Sequence, residues 1–349
     1  MAKRRFVLSV AGLLATAGVL FLGYRFTPRA DAQADAETAP APSAQRAGIA
    51  AAARPAAPTD EPLPPLDVPL ARALPALQRQ AAAGVPAAAC RLAAEYQNCL
   101  SLPQQREELA AWLAQRRRAF ELMTADGTRT GNVDIFQRSF EQELALRERK
   151  LAPRERRCEG VELPAPADVL RQWRQAALLG NTTAMRYYAS GTAFRWSNVL
   201  DSADMLAAYR NEAPAMAWSL VRQGDLLMTL RVASAASSLT RFSPGLLDQV
   251  IEDDPALALA LYRRMLDALD GQDGHNERSF RHDLERKIDL VEQASTPEQV
   301  QEATRRSLEL QSWAPLSLRG LGPYTGADSS RLPANAAACQ GVALPRPPG

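Results

Sequence analysis

Residues Trp173-Arg-Gln-Ala-Ala-Leu-Leu-Gly180-Asn-Thr-Thr-Ala184-Met-Arg-Tyr-Tyr188-Ala189-Ser-Gly191 decide the fold class of this chain. Trp173, Ala176 and Ala177 share one face of a helix that would end at Gly180, and Ala184 and Tyr188 recur at helical spacing beyond it. Small residues let two helix backbones approach closely, a glycine permits the tight turn between them, and aromatics fill the groove to the next pair. The stretch predicts a helical hairpin. It carries no reactive chemistry, so it speaks to architecture and not to a reaction or ligand.

This hairpin resembles the SEL-type repeat, a relative of the tetratricopeptide repeat. Trp173, Ala176, Ala177, Gly180, Ala184, Tyr188 and Gly191 fall where that family places its aromatic, small and turn residues. An upstream echo runs from Leu77 through Ala81, Gly84 and Ala88 to Ala93. Two weaker ones follow downstream, Trp218 to Gly224 leading to Met228 and Ala233, and Leu246 to Asp254 leading to Ala258 and Tyr262. The anchors at 84, 180, 224 and 254 are unevenly spaced, so the expected fold is all-α: an irregular helical-hairpin array, or degenerate solenoid. Trp173, Ala177, Gly180, Ala184, Tyr188 and Trp218 are its expected packing residues. The resemblance implies a role in binding other proteins on a concave surface.

Working outward, the amino terminus places the chain in the cell. Lys3-Arg4-Arg5 precedes an uncharged run from Phe6 to Tyr24, 19 residues that at ~1.5 Å each nearly span the ~30 Å bilayer core. Residues 1–26 therefore read as a signal anchor holding the protein to the inner membrane through residues 6–24. A cleaved signal peptide, with a site near Ala30-Asp31-Ala32, is the other reading. Either exports the remainder, to the periplasm or to the exterior. Residues 27–65, rich in alanine and proline, read as a disordered linker. Lys and Arg total 41 against 39 Asp and Glu, so charge gives no argument for a nucleic-acid partner. The near absence of lysine beside abundant alanine and arginine suggests a bacterial source.

Helices are expected near Val68–Ala83 and Pro86–Asn98, then from a capping box at Ser101 to Gln104 along the stripe Leu109, Trp112, Leu113, Phe120, Met123. Asp126-Gly127 breaks that helix, and another follows from Val133 to Lys150. The segment Cys158 to Pro164 recurs at Cys339 to Pro345 with five of seven residues identical, which suggests two helical modules, 66–164 and 165–349. Later helices are expected near 202–222, 224–236, from Asp254-Pro255 onward, at 277–293 after a Gly271–Asn276 loop, and from a Thr296-to-Gln299 capping box to about 311, before an irregular tail.

Four cysteines in an exported chain point to disulfides. Cys90 and Cys99 on one helix would lie ~13 Å apart along its axis, beyond the ~7 Å Cα limit for a bridge. Cys158 then pairs with Cys99 or Cys90; the preferred arrangement is Cys99–Cys158 with Cys90–Cys339. His275 and His282 read as surface residues, and adjacent carboxylates such as Glu107/Glu108 diverge around a helix. No triad, zinc or nucleotide-binding motif is present. The expectation is a non-enzymatic, cofactor-free scaffold that binds a protein partner in the cell envelope. Two alternatives stand beside it: a glycan-acting enzyme, which requires two acidic residues facing each other in a cleft, and a structural or stress-related protein without a specific ligand.

Overall fold

Three glycines set the local geometry from which the fold is built. Gly84, Gly180 and Gly224 have φ of 82°, 89° and 79°. Each donates its N–H to the carbonyl three residues back (Ala81, Ala177, Val221), and the next residue donates to the carbonyl five back (Gln80, Ala176, Leu220). This double closure ends a helix, and only glycine adopts its left-handed backbone without a steric cost. The residue after each glycine opens the following helix. Asn181 and Asp225 do so by accepting the N–H of Ala184 and Met228 on their side chains, and Val85 by leading into Pro86 at the first helical turn.

The computed structural model describes residues 61–125, 130–194, 200–240, 245–318 and 336–340. They contain the helices α1 (Leu70–Ala82), α2 (Pro86–Leu100), α3 (Leu102–Ala125), α4 (Thr130–Cys158), α5 (Pro166–Leu178), α6 (Thr182–Ala189), α7 (Ala203–Arg222), α8 (Leu226–Ala235), α9 (Pro255–Asp267), α10 (His275–Ala294) and α11 (Pro297–Leu310). The protein is all-α. Asp225 and Ser317 form an isolated parallel β-bridge.

The helices stack nearly in chain order. α1 lies on α2, α2 on α5, α5 on α6, and so on through α7 and α8 to α9, which receives both α10 and α11. Alanine explains the closeness: Ala88, Ala93 and Ala94 on α2 and Ala176 and Ala177 on α5 are all fully buried. The core is therefore continuous across residues 164 and 165, and the two expected modules share it.

α3 and α4 leave this stack as an antiparallel arm. Leu102 is the one buried residue of α3, and no described residue of α4 is buried. Its seam is aromatic: Trp112 stacks on Phe140 at 5.4 Å and Phe120 meets Phe136 at 6.3 Å. The Arg147 guanidinium lies 4.6 Å from the Trp112 ring centre, and Arg116 covers Trp112 and Phe136. Ion pairing at the base ties Arg106 to Glu155 at 2.7 Å and Arg157 to the buried Glu95 of α2 at 3.2 Å.

Several expectations require correction. Residues 61–65, assigned to the linker, are held in place: Gln80 donates to the carbonyls of Glu61 and Pro62, and the fully buried Arg91 donates to those of Pro64 and Pro65. Proline lacks a donor but keeps its acceptor, and two buried side chains use it. Ser101 forms no capping box with Gln104, because its hydroxyl donates to Asn98 and accepts from Gln105 while α2 runs almost directly into α3. The echo from Leu246 to Asp254 holds only a short 3-10 turn, Leu247–Gln249, so no hairpin precedes α9. His275 opens α10 instead of lying in the preceding loop. The expected membrane segment 6–24, the site near Ala32, linker residues 27–60, the break at Asp126-Gly127 and residues 341–349 lie outside the described residues. Among the described residues no helix is long and apolar enough to cross a membrane.

Candidate functional site

The expected packing residues gather in one place. Trp173, Ala177, Ala184 and Tyr188 are fully buried around the Gly180 turn. Trp173 stacks on Tyr187 at 4.1 Å, and Tyr188 meets Tyr209 edge-on at 5.6 Å. The Tyr188 hydroxyl donates to Glu212, which Arg174 grips through two nitrogens. Burial, reinforced by that carboxylate, pushes the Tyr188 phenol far above its usual range. Tyr209 donates to the Ala189 carbonyl at 2.7 Å, and Arg186 bonds the capping Asp225 at 2.8 Å, so successive hairpins are joined by polar as well as apolar contacts. Its aromatic and alanine members are closed to a ligand, and only the ion-paired Arg174, Glu212 and Arg186 are partly exposed.

Helix α2 is the clamp of the molecule. Cys90 near its start lies at disulfide distance from Cys339, and Cys99 near its end from Cys158, with Cα separations of 5.5 and 5.6 Å. The two cysteines that open the echoing segments thus pair with the same helix at different points along it. Asn181 and Thr183 add hydrogen bonds to the carbonyls of Cys339 and Ala338, both at 2.9 Å, which seats the carboxyl-terminal segment on the Gly180 turn.

Trp218 packs against the edge of the core. It is only half-buried and lines an open cleft of about 340 Å³ with Arg222, Leu257, Arg306, Glu309, Leu310 and Trp313. Trp218 and Trp313 stand edge to face at 6.4 Å. The chain after α11 positions Trp313 by returning to the Gly224 turn: Ala314 donates to Arg222 at 3.2 Å and Ser317 to Gly224 at 2.8 Å. A Cβ at Gly224 would stand 2.0 Å from the Pro315 carbonyl oxygen, so glycine here serves both the turn and this close approach. Arg264 donates to the Ala314 carbonyl and lies 5.5 Å from the Trp313 ring; burial lowers its pKa.

The chain matches no family model, no curated protein and no solved structure. The residues of the cleft set its chemistry. Its carboxylate, Glu309, is bonded by Arg305. Nearby Glu302 takes hydrogen bonds from Arg305 and Arg306 that hold its carboxyl down at about 2, and Asp254 is bonded by Arg306 as it caps α9. Such carboxylates are committed to guanidinium partners, and the cleft presents indole and guanidinium surface. His275 and His282 share α10, and among the described residues no group of three His, Cys, Asp or Glu side chains is placed to hold a metal. The role of Trp313 was not legible in the sequence; its one signal was a tryptophan at the point where helical periodicity gives way to proline and glycine.

Proposed function

We propose that this protein is a protein-binding scaffold of the bacterial cell envelope, exported and tethered through residues 6–24, and that it has no catalytic role. We read the stacked hairpins as a degenerate array of the SEL and tetratricopeptide kind. The observation that carries the reading is the α3–α4 arm. A pair of helices 24 and 29 residues long is ordered at an entropic cost, yet adds almost nothing to the core. Its value is the surface it presents. The cleft supports the same reading, because its indole and guanidinium lining is of the kind enriched where proteins meet, while its one carboxylate, Glu309, is tied to Arg305.

The test is site-specific photo-crosslinking in intact cells of the source organism, with the probe placed in turn at Leu122 on the arm, at Arg222 in the cleft and at Glu285 on α10. Discrete crosslinked proteins from the first two positions and none from the third support a scaffold. Crosslinks at none of them, together with turnover of purified envelope glycan by the full chain, would replace it with the enzyme reading.

A further inference from the structure

Arg91, Glu95 and Cys99 follow one another at four-residue spacing and share a face of α2. Each holds a different part of the chain. Arg91 donates through its two terminal nitrogens to the carbonyls of Pro64 and Pro65. Glu95 accepts from Arg157 in the last turn of α4, and Cys99 is paired with Cys158 beside it. Arg91 and Glu95 are sealed from water, whereas the Arg157 side chain is 15% exposed. Two guanidinium groups thus share one buried carboxylate. Arg157 has its hydrogen bonds. The Arg91 Nε stands 3.6 Å from the same carboxylate and has no hydrogen-bond partner among the described residues. Burial lowers the pKa of Arg91, Glu95 raises it, and the second cation, Arg157, lowers it again. The surplus positive charge is offset by the two proline carbonyls.

We propose that residues 61–65 are a latch on the arm, whose release is relayed through Arg91 and Glu95 to Arg157 and loosens the base of α4. With the carbonyls of Pro64 and Pro65 withdrawn, Arg91 keeps a buried charge and loses both of its acceptors, a costly state. Glu95 is the carboxylate it already faces, one helical turn away, and in turning to Arg91 that carboxylate leaves Arg157. Arg157 is the less costly cation to release, because its side chain already meets water. The Cys99–Cys158 pair keeps the end of α4 on α2, so the response is a loosening and not a detachment. Such coupling is reciprocal: displacing Arg157 returns the carboxylate to Arg91 and weakens its hold on residues 64 and 65. The latch itself is lightly fixed, by Leu63 against the core and by Gln80 on the carbonyls of Glu61 and Pro62. Chain order supplies its input, since a pull on the residues preceding Glu61 reaches the latch before α1. The latch holds the arm whether or not the arm meets another protein.

Hydrogen exchange of the full chain in mild detergent, read by mass spectrometry on the amides of residues 150–158, tests the relay. Leu63→Ser with Gln80→Ala unseats the latch without touching Arg91, Glu95 or the arm. The expected result is exchange of those amides faster by roughly two- to tenfold, the range set by one hydrogen bond, with α9 and α11 unchanged. Arg91→Met frees the same carbonyls but leaves no buried cation to claim Glu95, so the arm amides should keep their native rates. In that background the latch substitutions should add nothing. Arg157→Gln gives a second cycle at a less buried position: α4 is already released from Glu95, so unseating the latch should again add nothing. Arm amides that ignore the latch substitutions overturn the proposal. Acceleration that persists in the Arg91→Met or Arg157→Gln background overturns the charge relay and leaves α1, which touches α4, as the direct route. Equal acceleration in α9 and α11 means a general loosening and overturns it as well.

Discussion

The stacked helices and the arm are made of similar residues and bury them to opposite degrees. In the stack, Trp173, Tyr188, Leu220 and Tyr262 are sealed from water; in the arm, Trp112, Phe120, Phe136 and Phe140 are only half-covered. The difference lies in the number of neighbours. Helices α2 and α5 to α9 each pack against at least two others, whereas α3 and α4 have chiefly each other. Cohesion of the molecule therefore resides in the stack, and available surface resides in the arm.

That contrast breaks most readily at Trp173. Trp173→Ala should cost about 3–5 kcal/mol, read from urea unfolding of the full chain, because the site is fully buried and α5 is held between α2 and α6. A loss below ~1 kcal/mol would mean that the stack is no tighter than the arm. Removing the Cys90–Cys339 pair by serine substitution should cost about 2–5 kcal/mol, and more than removing Cys99–Cys158, since the first closes a separation of 249 residues and the second 59. Equal effects in thermal melts would argue that unfolded-state entropy is not what these bonds supply.

Smaller effects sharpen the same comparison. Gly224→Ala should destabilise by roughly 1–3 kcal/mol, while Gly271→Ala, at φ 74° with nothing within 4 Å of its Cβ, should cost about 1 kcal/mol or less. Leu122→Ser with Ile135→Ser on the arm should change stability by no more than ~0.5 kcal/mol, read from urea unfolding. The smallest effect concerns Glu302. Its folded-state pKa lies below the usual 4.5, so its contribution is present at neutral pH and is lost as pH falls from about 4.5 toward 2. Glu302→Gln should flatten that part of the acid-unfolding curve, slightly and less so in high salt, because the group is exposed. An unchanged curve would remove the Arg305 and Arg306 contacts from the account.

Much of the local structure was legible because it depends on near neighbours in sequence. The Thr296–Gln299 capping box and the Asp254 cap before Pro255 form as their residues require. The hairpin about Gly180 needs only a left-handed turn between two alanine-bearing faces. Ser101 misled because a serine three residues before a glutamine is equally suited to bonding back into the helix it follows. Helical spacing put Trp218 on an apolar face, where it packs on the core, but could not say that the face stays half-open, because spacing does not tell whether another helix arrives to cover it.

By itself, then, the sequence determined the elements: all-α, helices punctuated by glycine, proline and capping side chains, and two cysteines held too far apart on α2 to join each other. These follow from backbone sterics and from rise per residue, which act over a few positions. Only the tertiary structure decided that α2 packs on α5 across the expected module boundary, that Arg91 seats residues 61–65, that the chain after α11 returns to Gly224 and sets Trp313 opposite Trp218, and that α3 and α4 stand apart. Each of those depends on which distant surface a helix meets, and helical periodicity is the same whether or not it meets one.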